Sequence, residues 1–141
     1  MSNLKYKIIW IDDEINFDTI TPLLNDAERC GFNVIGKFTT VEEGISFLKE
    51  NLTDVDGAIL DARVYADRDS ETVSQQALRQ SLNQILRISP DLPRVVCTGQ
   101  IDVIEGNNFA ADEIGIYNKT SQIDEMFEDL AALIDLSLIH I

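Results

Sequence analysis

The chain has 141 residues, a mass of 15.8 kDa and 45% hydrophobic residues. That is the size and composition of one globular domain, residues 1–141, with its own core, so a second full domain is not expected. Against 25 acidic residues stand only 11 basic ones, a formal net charge of -14, which repels nucleic-acid backbones and anionic lipid and argues against direct binding to either. Cys30 and Cys97 show no metal-ligand spacing and cannot make a secreted disulfide framework. That cysteine usage points to a reducing cytoplasm, and no apolar run has the length to cross a bilayer, so a soluble chain is expected.

From the amino terminus, short apolar runs alternate with amphipathic stretches, the pattern of βαβ units. The predicted strands are Lys7 to Ile11, Asn33 to Phe38, Gly57 to Leu60, Arg94 to Cys97 and Ile114 to Tyr117. The runs at 7, 57 and 94 are nearly continuous in apolar residues, as in central parallel strands covered on both faces. Pro22 either opens the first helix or kinks one begun nearer Asn16. Val41, Ile45, Leu48 and Leu52 share one helical face, and Thr40 with Glu43 forms a capping box before it. Leu78, Leu82, Ile85 and Leu86 mark a third helix that stops before Pro90. Gly106-Asn107-Asn108 interrupts the fourth helical stretch. The last helix carries Ile123, Met126, Phe127, Leu130, Leu133 and Ile134. The expected fold class is therefore α/β, a doubly wound five-stranded parallel sheet.

In such folds ligands gather at the carboxyl ends of the strands. There the first strand leads into Asp12 and Asp13, the third into Asp61, the fourth into Thr98, and the fifth into Asn118 and Lys119. Crowded carboxylates repel: two unit charges about 4 Å apart cost about 4 kcal/mol at an effective dielectric near 20. Oxygen-only ligands with open space suit Mg²⁺, with Mn²⁺ as a substitute, and Lys119 and Thr98 add a charge and a hydroxyl donor. Together these groups would stabilise the oxygens of a phosphoryl group in transfer.

These segments resemble the response-regulator receiver domain, the phosphoacceptor of two-component signalling, which has a flavodoxin-like fold. The resemblance rests on Ile9-Trp10-Ile11-Asp12-Asp13-Glu14, Ala58-Ile59-Leu60-Asp61, Val95-Val96-Cys97-Thr98-Gly99 and Ile116-Tyr117-Asn118-Lys119, and covers nearly the whole chain. It implies Asp61 as phosphoacceptor. Asp12, Asp13 and Asp61, with the Arg63 carbonyl, would hold the metal, while Thr98 and Lys119 would contact the phosphoryl group. It also implies a histidine kinase or phosphotransfer protein as donor.

Taken singly, Thr98 reads as a strand-end cap and Lys119 as a surface lysine; their order along one sheet edge carries the case. The sequence departs from the family in a long polar loop from Ala62 to Ser70 and in Thr120 where a proline is usual. Ile116 stands at the position of the switch aromatic, with Tyr117 one place later and so on the other face of the strand. These departures favour an alternative, a pseudo-receiver adaptor that docks partners without phosphorylation. An aspartate-nucleophile phosphohydrolase lacks its second acid in the right pattern, and a nucleotide-binding domain lacks its glycine-rich loop. Leu136, Leu138, Ile139 and Ile141 extend the last helix with apolar residues beyond those needed to cover one sheet, an expected contact either with a second copy in a homodimer or with another domain.

Overall fold

The computed structural model describes residues 6–12, 20–61, 84, 87–88, 92–98, 115–118 and 121–139. In chain order it contains β1 (Tyr6–Ile11), α1 (Thr21–Arg29), β2 (Phe32–Phe38), α2 (Val41–Glu50), β3 (Gly57–Asp61), β4 (Arg94–Thr98), β5 (Gly115–Asn118) and α3 (Ile123–Ile139). The strands form one parallel sheet in the order β2-β1-β3-β4-β5. The three continuously apolar runs are thus the inner strands, and β3 is buried at every position. Of the predicted third helix, residues 84, 87 and 88 are described and helical. The interrupted stretch around Gly106 lies outside the described residues.

Strand alternation splits the core into two layers. Ile9, Ile11, Ala58, Leu60 and Val96 face α2, where Ile45 and Leu48 cover them. Ile8, Trp10, Ile59, Val95, Cys97 and Tyr117 face α1 and α3, beneath Ala27, Ile123, Met126, Phe127, Leu130 and Ile134. Trp10 is fully buried with its ring edge-on to Phe127, centroids 6.2 Å apart. Among the described residues its indole N–H has no hydrogen-bond partner, a local cost of about 1–3 kcal/mol that the surrounding apolar packing must outweigh.

Local chemistry sets the helix ends. Pro22 sits in the first turn of α1, where a missing N–H breaks no intrahelical bond, so it opens that helix. Gly31 takes a φ of 92° just past the end of α1, a left-handed conformation that glycine adopts without strain. The Thr40 hydroxyl accepts from the Glu43 N–H at 3.3 Å and caps α2. Leu52 does not continue that helix and is 44% exposed. Asn51 ends it first: the backbone N–H donates to the Leu48 carbonyl at 3.2 Å and the side-chain amide to the Phe47 carbonyl at 2.8 Å.

Two close fits position the sheet's carboxyl edge. A Cβ at Gly44 would lie 2.3 Å from Ile11 Cδ1, so glycine lets α2 settle directly onto the last residue of β1. Between Ile8 and Ile9 the pairing with β2 shifts by a residue, a bulge at Ile35, after which the Asp12 N–H donates to the Phe38 carbonyl at 2.9 Å.

Two phenols anchor α3 to the sheet. Tyr6 donates to Asp135 Oδ1 at 3.0 Å and Tyr117 to Asp129 Oδ2 at 2.7 Å. Burial pushes the Tyr117 phenol well above its ordinary pKa of 10.0, helped by the hydrogen bond to Asp129 and by the charges of Asp129 and Glu125. Burial and the bond to Asp135 also raise Tyr6.

Phe127 is 1% exposed and Leu136 54%, so Phe127→Ala is expected to lose about 3–5 kcal/mol of unfolding free energy and Leu136→Ala less than about 0.5 kcal/mol. Urea unfolding followed by circular dichroism measures both. The phenols set an alkaline limit. Above their ordinary pKa of 10.0 the unfolded chain releases protons that the folded chain keeps, so the stability held below that pH is lost as pH rises. Phenolate absorbance should show Tyr117 ionising only as the protein unfolds.

Candidate functional site at the carboxyl edge of the sheet

The strand order reverses between β1 and β3: from β1 the chain steps outward to β2, then returns to the other side for β3, β4 and β5. In open α/β sheets such a switch point is where ligands bind, outside the carboxyl ends of the strands. Asp12 follows β1 and Asp61 ends β3, one on each side of it, 0% and 3% exposed, and they are the buried acidic residues of the described chain. Asp61 is the last residue of β3, not the first beyond it as the sequence suggests. Thr98 and Asn118 likewise close β4 and β5.

Register aligns these residues. Ile11 pairs with Leu60, so Asp12 follows beside Asp61; Asp61 pairs with Cys97, and Cys97 with Tyr117. Asp12, Asp61, Cys97 and Tyr117 therefore form one row across the sheet on the α1 and α3 side, with neighbouring strands about 4.8 Å apart. Thr98 pairs with Asn118 one residue further along. Lys119 follows Asn118 directly in the sequence. Asp13, Arg63 and Lys119 lie outside the described residues, as does the loop from Ala62 to Ser70.

The donor set is suited to a hard cation. Two oxygen-only side chains, both buried and carried on adjacent strands, concentrate negative charge where a divalent ion would relieve it. Among the described residues no group of three or more His, Cys, Asp or Glu is gathered for a metal; Asp12 and Asp61 supply two of the three predicted carboxylates. Cys97 is fully buried in the core beneath α3, and neither cysteine forms a disulfide.

Sequence reasoning missed the Tyr117–Asp129 pair. It placed Tyr117 on the opposite face from Ile116, and the phenol does pack beneath α3. Its acceptor was not legible, because Asp129 reads as one more acid on the solvent face of an acidic helix. Among the described residues no helix is long and apolar enough to cross a membrane.

No protein-family model matches the chain, and no curated relative matches it in sequence. Solved structures do match in shape. A response regulator receiver domain protein from Clostridium thermocellum aligns with a TM-score of 0.68 at 22% identity, over 97% of this chain and 100% of that one. RcsB from Salmonella enterica serovar Typhimurium, bound to promoter rprA in the presence of the phosphomimetic BeF3-, aligns with a TM-score of 0.65 at 18% identity, over 93% of this chain and 99% of that one. A response regulator receiver protein from Sinorhizobium medicae WSM419 aligns with a TM-score of 0.63 at 22% identity, over 94% and 96%. Strand order, parallel pairing and these superpositions agree: this chain has the fold of the response-regulator receiver domains.

Proposed function

We propose that this protein is a phosphorylatable receiver, a signalling switch and not a turnover enzyme. In this reading Asp61 accepts a phosphoryl group from a phosphohistidine on a histidine kinase or phosphotransfer protein in the cytoplasm. The observation that carries it is the pair of buried carboxylates, Asp12 and Asp61, at the switch point of a receiver-type sheet. Burying acids side by side costs stability, and a cation-dependent reaction at that place gives a reason for keeping both.

An Asp61 carboxylate oxygen attacks phosphorus in line with the donor nitrogen. The P–O bond forms as the P–N bond breaks, the nitrogen keeps the bonding pair, and the imidazole is protonated from solvent. Asp12, Asp13, Asp61 and the Arg63 carbonyl would hold Mg²⁺, or Mn²⁺ in its place, which supplies positive charge to the phosphoryl oxygens. The Thr98 hydroxyl and the Lys119 ammonium would bind the same oxygens from the ends of β4 and β5. Phosphorylation of Asp61 then changes the charge at this sheet edge and reshapes a partner-binding face. Self-association through the last helix belongs to this reading, supported by Leu133 and Leu136, 41% and 54% exposed on α3.

Incubation with acetyl phosphate and Mg²⁺ should add one phosphoryl mass, absent without the metal and absent in Asp61→Asn, whose circular dichroism should match the unsubstituted protein. Labelling that survives Asp61→Asn would move the acceptor elsewhere, and no labelling at all would leave the pseudo-receiver adaptor. For self-association, sedimentation should show a concentration-dependent dimer that Leu136→Asp converts to monomer.

A further inference from the structure

Tyr117 lies at the height of the two carboxylates, in the same cross-strand row as Asp12 and Asp61. It belongs to β5, a strand of four residues at the edge of the sheet whose ladder, among the described residues, runs to β4 alone. The end of a short edge strand held from one side frays readily. A second support comes from below, where the Tyr117 hydroxyl donates to Asp129 of α3 at 2.7 Å, the short distance of a bond to an ionised acceptor. Tyr117 is only 8% exposed and packs into the core under α3, so both the ring and the hydroxyl are held.

We propose that Tyr117 and Asp129 are positioning residues for phosphoryl transfer: their hydrogen bond fixes the carboxyl end of β5, the backbone that directly precedes Lys119 in the chain. The proposal rests on the reading of Asp61 as phosphoacceptor. Neither residue touches the phosphoryl group. Lys119 is two residues beyond Tyr117 and follows the strand's last residue, so a shift of the strand end is passed to it along the backbone. Misplacing a reacting or stabilising group by about 1 Å can cost about 100-fold in rate.

Tyr6 provides an internal control. It makes the same kind of bond to the same helix, to Asp135 at 3.0 Å, but from the first residue of β1, at the opposite end of the sheet from the carboxylates. A merely structural role predicts equal consequences for losing either bond.

The test labels each variant with acetyl phosphate across a range of Mg²⁺ concentrations and follows backbone amide exchange at Asn118. Tyr117→Phe keeps the ring and loses the bond. It should lower the maximal labelling rate about tenfold and speed exchange at Asn118, with half-saturation by Mg²⁺ unchanged because the acids are untouched. Asp129→Ala should do the same, and Asp129→Asn, whose amide oxygen still accepts from the phenol, should restore the rate. Tyr6→Phe should leave the rate and the Asn118 exchange as they are. Normal labelling by Tyr117→Phe, or an equal loss in Tyr6→Phe, would overturn the proposal. If the unsubstituted protein takes no label, the acceptor reading falls separately, and Asn118 exchange decides the clamp: faster in Tyr117→Phe alone supports it, and equal in both tyrosine variants overturns it.

Discussion

Two buried carboxylates on adjacent parallel strands are the constraint around which this structure is arranged. Asp12 and Asp61 cannot sit in the middle of the sheet, where apolar layers on both faces would leave their charge without water or partners. They occupy strand ends, at the place where the strand order reverses. The apolar inner strands below them serve that placement. Ile8 to Ile11 and Ala58 to Leu60 are buried on both faces, so sliding either strand by one residue would push an acid into one of the two core layers.

The helices hold that edge by different means. On one side α2 comes close through Gly44, which leaves room for Ile11 immediately before Asp12. On the other side α3 combines an apolar seam of Ile123, Met126, Phe127, Leu130 and Ile134 with two phenol–carboxylate bonds. Apolar packing is non-directional and tolerates small sliding movements of a helix. Two hydrogen bonds to different strands fix its height along the sheet. The helix carries Asp124 and Glu125 in its first turn, as its dipole favours, and two acids further along, Asp129 and Asp135, hold the phenols.

Similarity to solved receiver domains extends over nearly the full chain at about one identical residue in five. Such divergence is compatible with one fold because a parallel sheet asks mainly for apolar residues of suitable volume at its buried positions, and many sequences meet that demand. Placement of charge is a separate matter from that apolar demand. In this chain it appears as aspartates at the ends of β1 and β3 and a lysine directly after β5.

The α/β class, the five strands, the identity of the inner ones and the concentration of polar groups on one sheet edge were all determined by the sequence itself. Continuous apolar runs have only one stable setting, between two covering layers, and the residues that interrupt them mark the ends. Tertiary structure decided what depends on distant neighbours. The end of α2 is the exception, a local matter that apolar spacing does not report: Asn51 closes the helix by hydrogen bonds to Phe47 and Leu48, and Leu52 is left exposed. The Ile35 bulge arises only when β2 is laid against β1. Tyr6 and Tyr117 gained carboxylate partners that no local pattern announces, since Asp135 lies at the far end of the chain from Tyr6 and meets it only once α3 has folded back across the sheet. Periodicity records which face of an element is buried; it carries no information about which residue will lie opposite, and that is set by packing alone.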